Sequence, residues 1–221
     1  MALTVTLLGG ESSGKTTLAQ ALQPALLAQG ITSTFVPELL RTWCEQHGRA
    51  PQAHEQTERA QAQSLAIASA AQDATVQVVL ADTTALVIAA YSELYFEDRS
   101  LWPHAIEQQS RYSLTLLMGL DLPWVPDGLF RDGPALRAAT DAVLRRELQA
   151  AGVPFQTLYG PLELRVQQAL RAIGSALQRP LTPQNTAWEQ GRRPWNCEKC
   201  SDPDCEHRLF TQLLQQRSTN A

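Results

Sequence analysis

The sequence predicts an α/β fold in which a five-stranded parallel sheet lies between two layers of helices. Five apolar segments rich in β-branched residues alternate with longer segments of helical periodicity, which is the pattern of parallel strands joined by crossover helices. The first of these strands leads directly into a glycine-rich loop and a helix. Composition changes after residue 178, so we expect one domain over residues 1–178, a linker over 179–196 and a small tail over 197–221.

The glycine-rich loop follows a strand predicted over residues 3–8 and reads Gly9-Gly-Glu-Ser-Ser-Gly-Lys-Thr16. This spacing is that of a phosphate-binding P-loop. The alternative is a glycine-rich turn that precedes a lysine by chance, but the strand before the loop and the helix after it are the context that a P-loop requires. Inward-facing N–H groups, the positive end of a helix dipole and a lysine bind phosphate, and a hydroxyl ligates Mg²⁺. We therefore predict the fold of a P-loop NTPase, with nucleotide contacts from Gly10, Glu11, Ser12, Ser13, Gly14, Lys15, Thr16 and Thr17.

Composition and charge narrow the possible partners. The chain has 221 residues, 44% of them hydrophobic, and a formal net charge of −4, which offers no basic surface for nucleic acid. The first apolar run is too short for a secretory signal, and Asp82 interrupts the longest one, at residues 76–90, before it could span a membrane. We expect a cytoplasmic protein that binds neither membranes nor nucleic acid.

Residues 15–28 predict the first helix, which ends before Gly30, and residues 31–36 predict the second strand. Glu38 and Arg41 follow that strand at the edge where open α/β sheets bind their ligands. They are candidate substrate-binding residues, with a surface ion pair as the equal alternative. Residues 51–73 then predict a long, polar surface helix.

The third strand, predicted over residues 76–81, is followed directly by Asp82. A carboxylate there could hold Mg²⁺ or accept the proton of an attacking hydroxyl. Alternatively, Asp82 caps the helix that begins near Thr84.

A fourth strand over residues 113–120 leads into a turn-rich segment that contains Trp124 and Arg131. Such a segment could close on a nucleotide, its arginine spreading positive charge over the transferred phosphoryl group, or be an ordinary connection. Trp124 could equally stack on a flat ring or plug the edge of the core. Residues 135–151 and 160–177 predict helices on either side of a last strand over 153–158.

These residues together resemble one known family, the ribosylnicotinamide kinase domain of NadR-type proteins. The resemblance covers about residues 1–177 and rests on four groups: Leu8 to Thr17, Glu38 with Arg41, Asp82-Thr83-Thr84, and Asp121-Leu-Pro-Trp-Val-Pro-Asp-Gly128 with Arg131 and Arg137. Where the family often has Asp-Thr-Asp, this chain has Thr84 in place of the second acid, and Phe130 displaces Arg131 by one position.

The resemblance implies ATP- and Mg²⁺-dependent phosphorylation of the 5′-hydroxyl of nicotinamide riboside, a step of NAD salvage. Lys15 and Thr16 would contact phosphate and metal, and Asp82 or Glu38 would orient or deprotonate the hydroxyl. Trp124 would stack on a ring, and Arg131 or Arg137 would act from the lid. We keep two alternatives: a kinase for another nucleoside or a thiamine-like vitamin, and an ATP-dependent switch that recruits a partner through its tail.

The tail contains four potential metal ligands within eleven residues, Cys197, Cys200, Cys205 and His207. This set suits a tetrahedral structural zinc site, with a redox dithiol, free thiols or an iron–sulfur cluster as alternatives. A short amphipathic helix after it could dock on the core or on a second subunit, so a homo-oligomer formed through the tail is possible.

Overall fold

The computed structural model of the chain describes residues 2–125 and 133–181. Within them, five strands form one sheet: β1 (Leu3–Leu8), β2 (Ser33–Val36), β3 (Val78–Asp82), β4 (Leu114–Met118) and β5 (Gln156–Leu158). All pairings are parallel and the strand order is β2-β3-β1-β4-β5. The predicted α/β class and the five-stranded parallel sheet are therefore confirmed, with β1 in the centre.

Seven α-helices connect and flank these strands: α1 (Lys15–Ala28), α2 (Leu39–His47), α3 (Gln56–Gln72), α4 (Ala85–Phe96), α5 (Trp102–Ser110), α6 (Pro134–Ala150) and α7 (Leu162–Ala176). The helix predicted from residue 51 begins only at Gln56, after a short 3₁₀ turn over Ala53–Glu55. The sequence analysis did not predict α5, which buries Trp102, Ala105 and Gln109.

Helices cover both faces of the sheet, as a parallel sheet requires. On one face, α1 and α7 pack Leu18, Leu22 and Ile173 against β1 and β4. On the other, α4 contributes an almost continuous buried segment from Ala85 to Ser92 and contacts α3, α5 and α6. The sheet is thus the middle of three layers.

A polar network between the sheet and the helical layer that contains α4 and α5 fixes the start of α4. Thr84 caps this helix by accepting a hydrogen bond from the Leu86 N–H at 3.2 Å, and it donates to Gln109 Oε1 at 2.8 Å. The Gln109 amide nitrogen donates to the hydroxyls of Thr6 and Thr115, each at 2.9 Å. Thr84 therefore takes the capping role considered for Asp82.

Residues 182–196 of the predicted linker and the whole predicted tail, with Cys197, Cys200, Cys205 and His207, lie outside the described residues. Within the described ranges, no helix combines the length and apolar character needed to cross a bilayer.

Candidate active site

The P-loop connects the carboxyl end of β1 to α1, and its first two carbonyl groups accept hydrogen bonds from side chains of the loop itself. Lys15 Nζ donates to the carbonyl oxygens of Gly9 at 3.0 Å and Gly10 at 3.1 Å, and Ser13 Oγ donates to Gly10 O at 2.8 Å. Gly14 has a φ of +84°, which favours glycine at the turn into the helix. Lys15 is 7% exposed, so its ammonium group lies inside the cradle that the loop forms.

Two arginines bind the outer side of the same loop. Arg137 Nη1 donates to Ser12 O at 3.4 Å, and Arg165 Nη1 donates to Ser13 O at 2.8 Å. A trans peptide places each carbonyl opposite the next residue's N–H, so these contacts turn the N–H groups of Ser13 and Gly14 away from the arginines. The loop thus offers N–H donors to an anion, with two positive charges behind it.

The loop also packs tightly against α6. A Cβ added to Gly10 would lie 3.1 Å from both Cα and O of Arg137. Glycine at this position therefore allows the backbones of the P-loop and α6 to approach each other. Of the remaining predicted contacts, Glu11 is half-buried in the loop and Thr17 is exposed in the first turn of α1.

Asp82 ends β3 beside the P-loop, since it is in register with Leu7 of β1. It is 1% exposed, and its Oδ2 accepts a hydrogen bond from the Thr16 hydroxyl. Its buried Oδ1 has no hydrogen-bond partner within the described residues. A carboxylate with an unused oxygen beside a hydroxyl fits a hard cation such as Mg²⁺.

Thr16 and Asp82 do not form a complete metal site by themselves. The described residues contain no group of three or more His, Cys, Asp or Glu side chains that could hold a metal. Thr16 and Asp82 could hold Mg²⁺ together with water and the phosphates of a nucleotide, which is how Mg²⁺ is often bound in phosphoryl-transfer sites.

Glu38 and Arg41 lie at the neighbouring strand end, after β2. Glu38 occupies the N-cap position of α2, and its Oε2 is 3.9 Å from Arg41 Nε. The ion pair of the alternative interpretation is therefore formed. The Glu38 side chain is nevertheless only 13% exposed, against 46% for Arg41, so the pair is not a fully solvated surface ion pair.

The segment after β4 is attached to the P-loop at its beginning. The Val125 N–H donates to Ser12 Oγ at 2.9 Å, and Arg137 Nη1 donates to Leu122 O at 2.9 Å. Trp124 is half-buried, and its indole N–H has no partner among the described residues. Arg131 lies outside those residues, so the stacking role of Trp124 and the lid role of Arg131 remain predictions.

Arg137 was predicted as a nucleotide or lid residue, and the structure places it beside the P-loop. It is 8% exposed, and its guanidinium donates to main-chain carbonyls of the P-loop and of the segment after β4. In this arrangement it shapes the loop, and its contact with a nucleotide remains a prediction.

Arg165 is a site residue that the sequence analysis missed. It is 1% exposed and donates to Gly160 O at 2.8 Å, Gly119 O at 3.2 Å and Asp121 Oδ1 at 2.6 Å. Burial lowers the pKa of its guanidinium, an effect that the charge of Asp121 opposes. Its position in the buried stripe of α7, with Ala169 and Ile173, was the signal that could have identified it.

We expect Arg165→Leu to lower the free energy of unfolding by about 3 kcal/mol, because it leaves the main-chain carbonyls of Ser13, Gly119 and Gly160 without their buried donor. Denaturant titration measures the change. Arg171→Leu on the same helix is the matched control, since Arg171 is exposed and should change stability by less than about 0.5 kcal/mol. Equal losses in the two variants would contradict the structural role of Arg165.

Solved structures of NadR proteins are among those that share this fold. A NadR protein in complex with NR matches with a TM-score of 0.70 and 23% identity, over 83% of this chain and 54% of the NadR chain. NadR in complex with NAD and AMP-PNP matches with a TM-score of 0.67 and 22% identity, over 83% of this chain and 52% of that one. This chain therefore spans about half the length of each NadR chain. The predicted resemblance to NadR is confirmed at the level of the fold.

No curated protein matches the sequence. Residues 4–165, however, match the family of AAA domains. This range begins in β1, includes the P-loop and Asp82, and ends at Arg165 in the first turn of α7. Because the match extends over most of the chain, the protein belongs to the AAA domain family, with a P-loop fold that it shares with NadR.

Proposed function

We propose that the protein is a kinase that uses ATP and Mg²⁺ to phosphorylate the 5′-hydroxyl of nicotinamide riboside, giving nicotinamide mononucleotide. The observation that carries this proposal is the buried Asp82 carboxylate, which faces Thr16 beside the P-loop and keeps one oxygen unused. An acid in this place can hold Mg²⁺ on the phosphates or accept the proton of the acceptor hydroxyl, and phosphoryl transfer to a hydroxyl uses both. The fold shared with NadR, solved in complexes with NR and with AMP-PNP, supports the choice of acceptor and donor.

Transfer would depend mainly on positioning and charge neutralisation. The N–H groups of the P-loop would bind the β- and γ-phosphates, and Lys15 would exchange its bonds to Gly9 O and Gly10 O for phosphate oxygens. Thr16 and Asp82 would hold Mg²⁺, which supplies charge neutralisation on the phosphate oxygens when bound. The 5′-oxygen then attacks the γ-phosphorus, and the bond between the γ-phosphorus and the oxygen that leaves with ADP breaks. The hydroxyl proton passes to Asp82 or Glu38.

A panel of acceptors tests the proposal. ADP formation is measured with ATP and Mg²⁺ in the presence of nicotinamide riboside, another nucleoside, thiamine or no acceptor. We expect nicotinamide riboside to stimulate ADP formation most strongly. Stimulation by another acceptor alone would correct the substrate, and tight ATP binding without stimulation by any acceptor would contradict a kinase.

We also propose that Cys197, Cys200, Cys205 and His207 hold a structural zinc ion. Metal analysis of the purified chain should find about one equivalent of zinc, because a closed site of these ligands binds the ion tightly. Cys200→Ser should lose the metal. Cys44→Ser is the matched control, since Cys44 is buried in α2, where burial raises the pKa of its thiol. Less than about a tenth of an equivalent in the unmodified chain would contradict the site.

A further inference from the structure

Gln63 is a fully buried side chain of α3 that forms hydrogen bonds only with the main chain in the described residues. It is 0% exposed. Its Oε1 accepts from the Leu39 N–H at 2.9 Å, and its Nε2 donates to Pro37 O at 3.1 Å and to Thr83 O at 3.3 Å. The amide oxygen and both N–H groups are thus used, and all three bonds reach segments that follow strands of the sheet.

Two of these bonds are made to the backbone directly before and directly after Glu38. Pro37 and Leu39 are its immediate neighbours in the chain, so one amide group binds the backbone on both sides of this residue. Glu38 has a backbone φ of −68° and ψ of 99° at the start of α2. The hydrogen bonds from Gln63 therefore fix where β2 ends and in which direction the Glu38 side chain leaves the backbone.

The third bond reaches the residue after Asp82. Thr83 has a φ of +76°, in the left-handed region that β-branched residues rarely adopt, and such a conformation persists only where surrounding contacts hold it. Its N–H donates to Leu7 O at 3.1 Å, and its carbonyl accepts from Gln63. These two contacts fix the backbone as it leaves Asp82.

We propose that Gln63 is a positioning residue that holds Glu38 and Asp82 in a fixed relation to each other across the ends of β2 and β3. Both acids are the candidate groups for orienting or deprotonating the acceptor hydroxyl, so this inference rests on the proposed function. The P-loop receives no bond from Gln63. Loss of the amide should therefore impair the transfer step and the metal contact of Asp82 more than the binding of the nucleotide phosphates.

Gln63→Met tests this inference because it keeps the length of the side chain and removes all three hydrogen bonds. Gln109→Met is the matched control. Gln109 is also a buried glutamine, 1% exposed, with three hydrogen bonds, but its partners are the hydroxyls of Thr6, Thr84 and Thr115 inside the fold. Gln63→Glu is a second variant, which keeps the acceptor oxygen and loses the donors. All are measured well below their unfolding temperatures.

With nicotinamide riboside as acceptor, we expect the Gln63 variants to lower kcat by at least about tenfold, while their affinity for metal-free ATP, measured in EDTA, stays within about twofold. Gln109→Met should keep kcat within about twofold even if its loss of thermal stability is similar. Equal kcat values for Gln63→Met and Gln109→Met would overturn the inference, because a merely structural role would affect both alike.

A second readout does not require the acceptor. The affinity for ATP is measured with Mg²⁺ and with EDTA, and the ratio reports how well Asp82 is placed for the metal. We expect Gln63→Met to reduce this ratio by at least about threefold and Gln109→Met to leave it unchanged. If the unmodified protein turns over no riboside, the proposed function fails, and this ratio alone decides the inference: an unchanged ratio in Gln63→Met overturns it.

Discussion

Lys15→Ala should reduce riboside-dependent ADP formation by at least about 10³-fold, the scale expected when a positioned charge that stabilises the transition state is removed. Lys15 Nζ already lies inside the loop, 3.0 and 3.1 Å from two of its carbonyls, where the γ-phosphate would sit as charge develops. Initial rates at saturating ATP and riboside measure the effect.

Two controls separate this effect from a loss of structure. Thermal unfolding of Lys15→Ala should remain cooperative, because the helices and the sheet do not depend on this side chain. Arg171→Ala removes a positive charge from an exposed position on α7 and should keep the unmodified rate. A rate for Lys15→Ala within about tenfold of the unmodified protein would mean that the P-loop does not bind the transferred phosphate.

Asp82→Asn should lower kcat by at least about 10²-fold and raise the Mg²⁺ concentration needed for half-maximal rate. Asparagine keeps the size of the side chain and an oxygen for the Thr16 hydroxyl, so the fold should survive, but the negative charge for the cation is lost. Rates measured across a series of Mg²⁺ concentrations test both expectations.

Asp73→Asn is the matched control for this variant. Asp73 is exposed after α3, and hydrogen bonds from Thr75 lower the pKa of its carboxyl, but it lies at the amino end of β3, away from the P-loop. It should keep the unmodified rate and Mg²⁺ requirement. An Asp82→Asn variant with the same Mg²⁺ requirement as Asp73→Asn would remove Asp82 from the metal site.

The parts of the site that sequence predicted follow from local patterns. The P-loop is a contiguous motif with fixed spacing, and Asp82 directly follows a run of buried apolar residues. Parallel strands bring their carboxyl ends to one edge, so the position of Asp82 beside the loop could be expected before the pairing of Leu7 with Asp82 was known.

The parts that sequence missed depend on contacts with the main chain. Gln63 and Arg165 bind backbone carbonyls from distant segments, and any residue type can provide such a carbonyl. Both side chains lie within buried stripes of helices, and this periodic position shows that they are buried but not which backbone groups they bind. Thr84 stands where the resembled family often has a second acid. In this structure it has a structural role, since its side chain caps α4.

Helix α5 was missed for a different reason. Its sequence contains a proline, which is tolerated because it falls in the first turn, and its remaining residues are largely polar. Trp102 and Ala105 are buried in the same hydrophobic cluster as α4 and α6, and this packing stabilises the helix. Such contacts between segments cannot be read from the sequence of α5 alone.

The central claim, transfer of phosphate from ATP to a small hydroxyl, is tested most directly by identifying the phosphorylated product. Phosphorus NMR of a reaction with ATP, Mg²⁺ and nicotinamide riboside should show a new phosphate monoester on the 5′-oxygen, in an amount equal to the ADP formed. The signal should be absent with Lys15→Ala. Inorganic phosphate and ADP without a riboside monoester would contradict the account, because the protein would then hydrolyse ATP without transferring its phosphate to this acceptor.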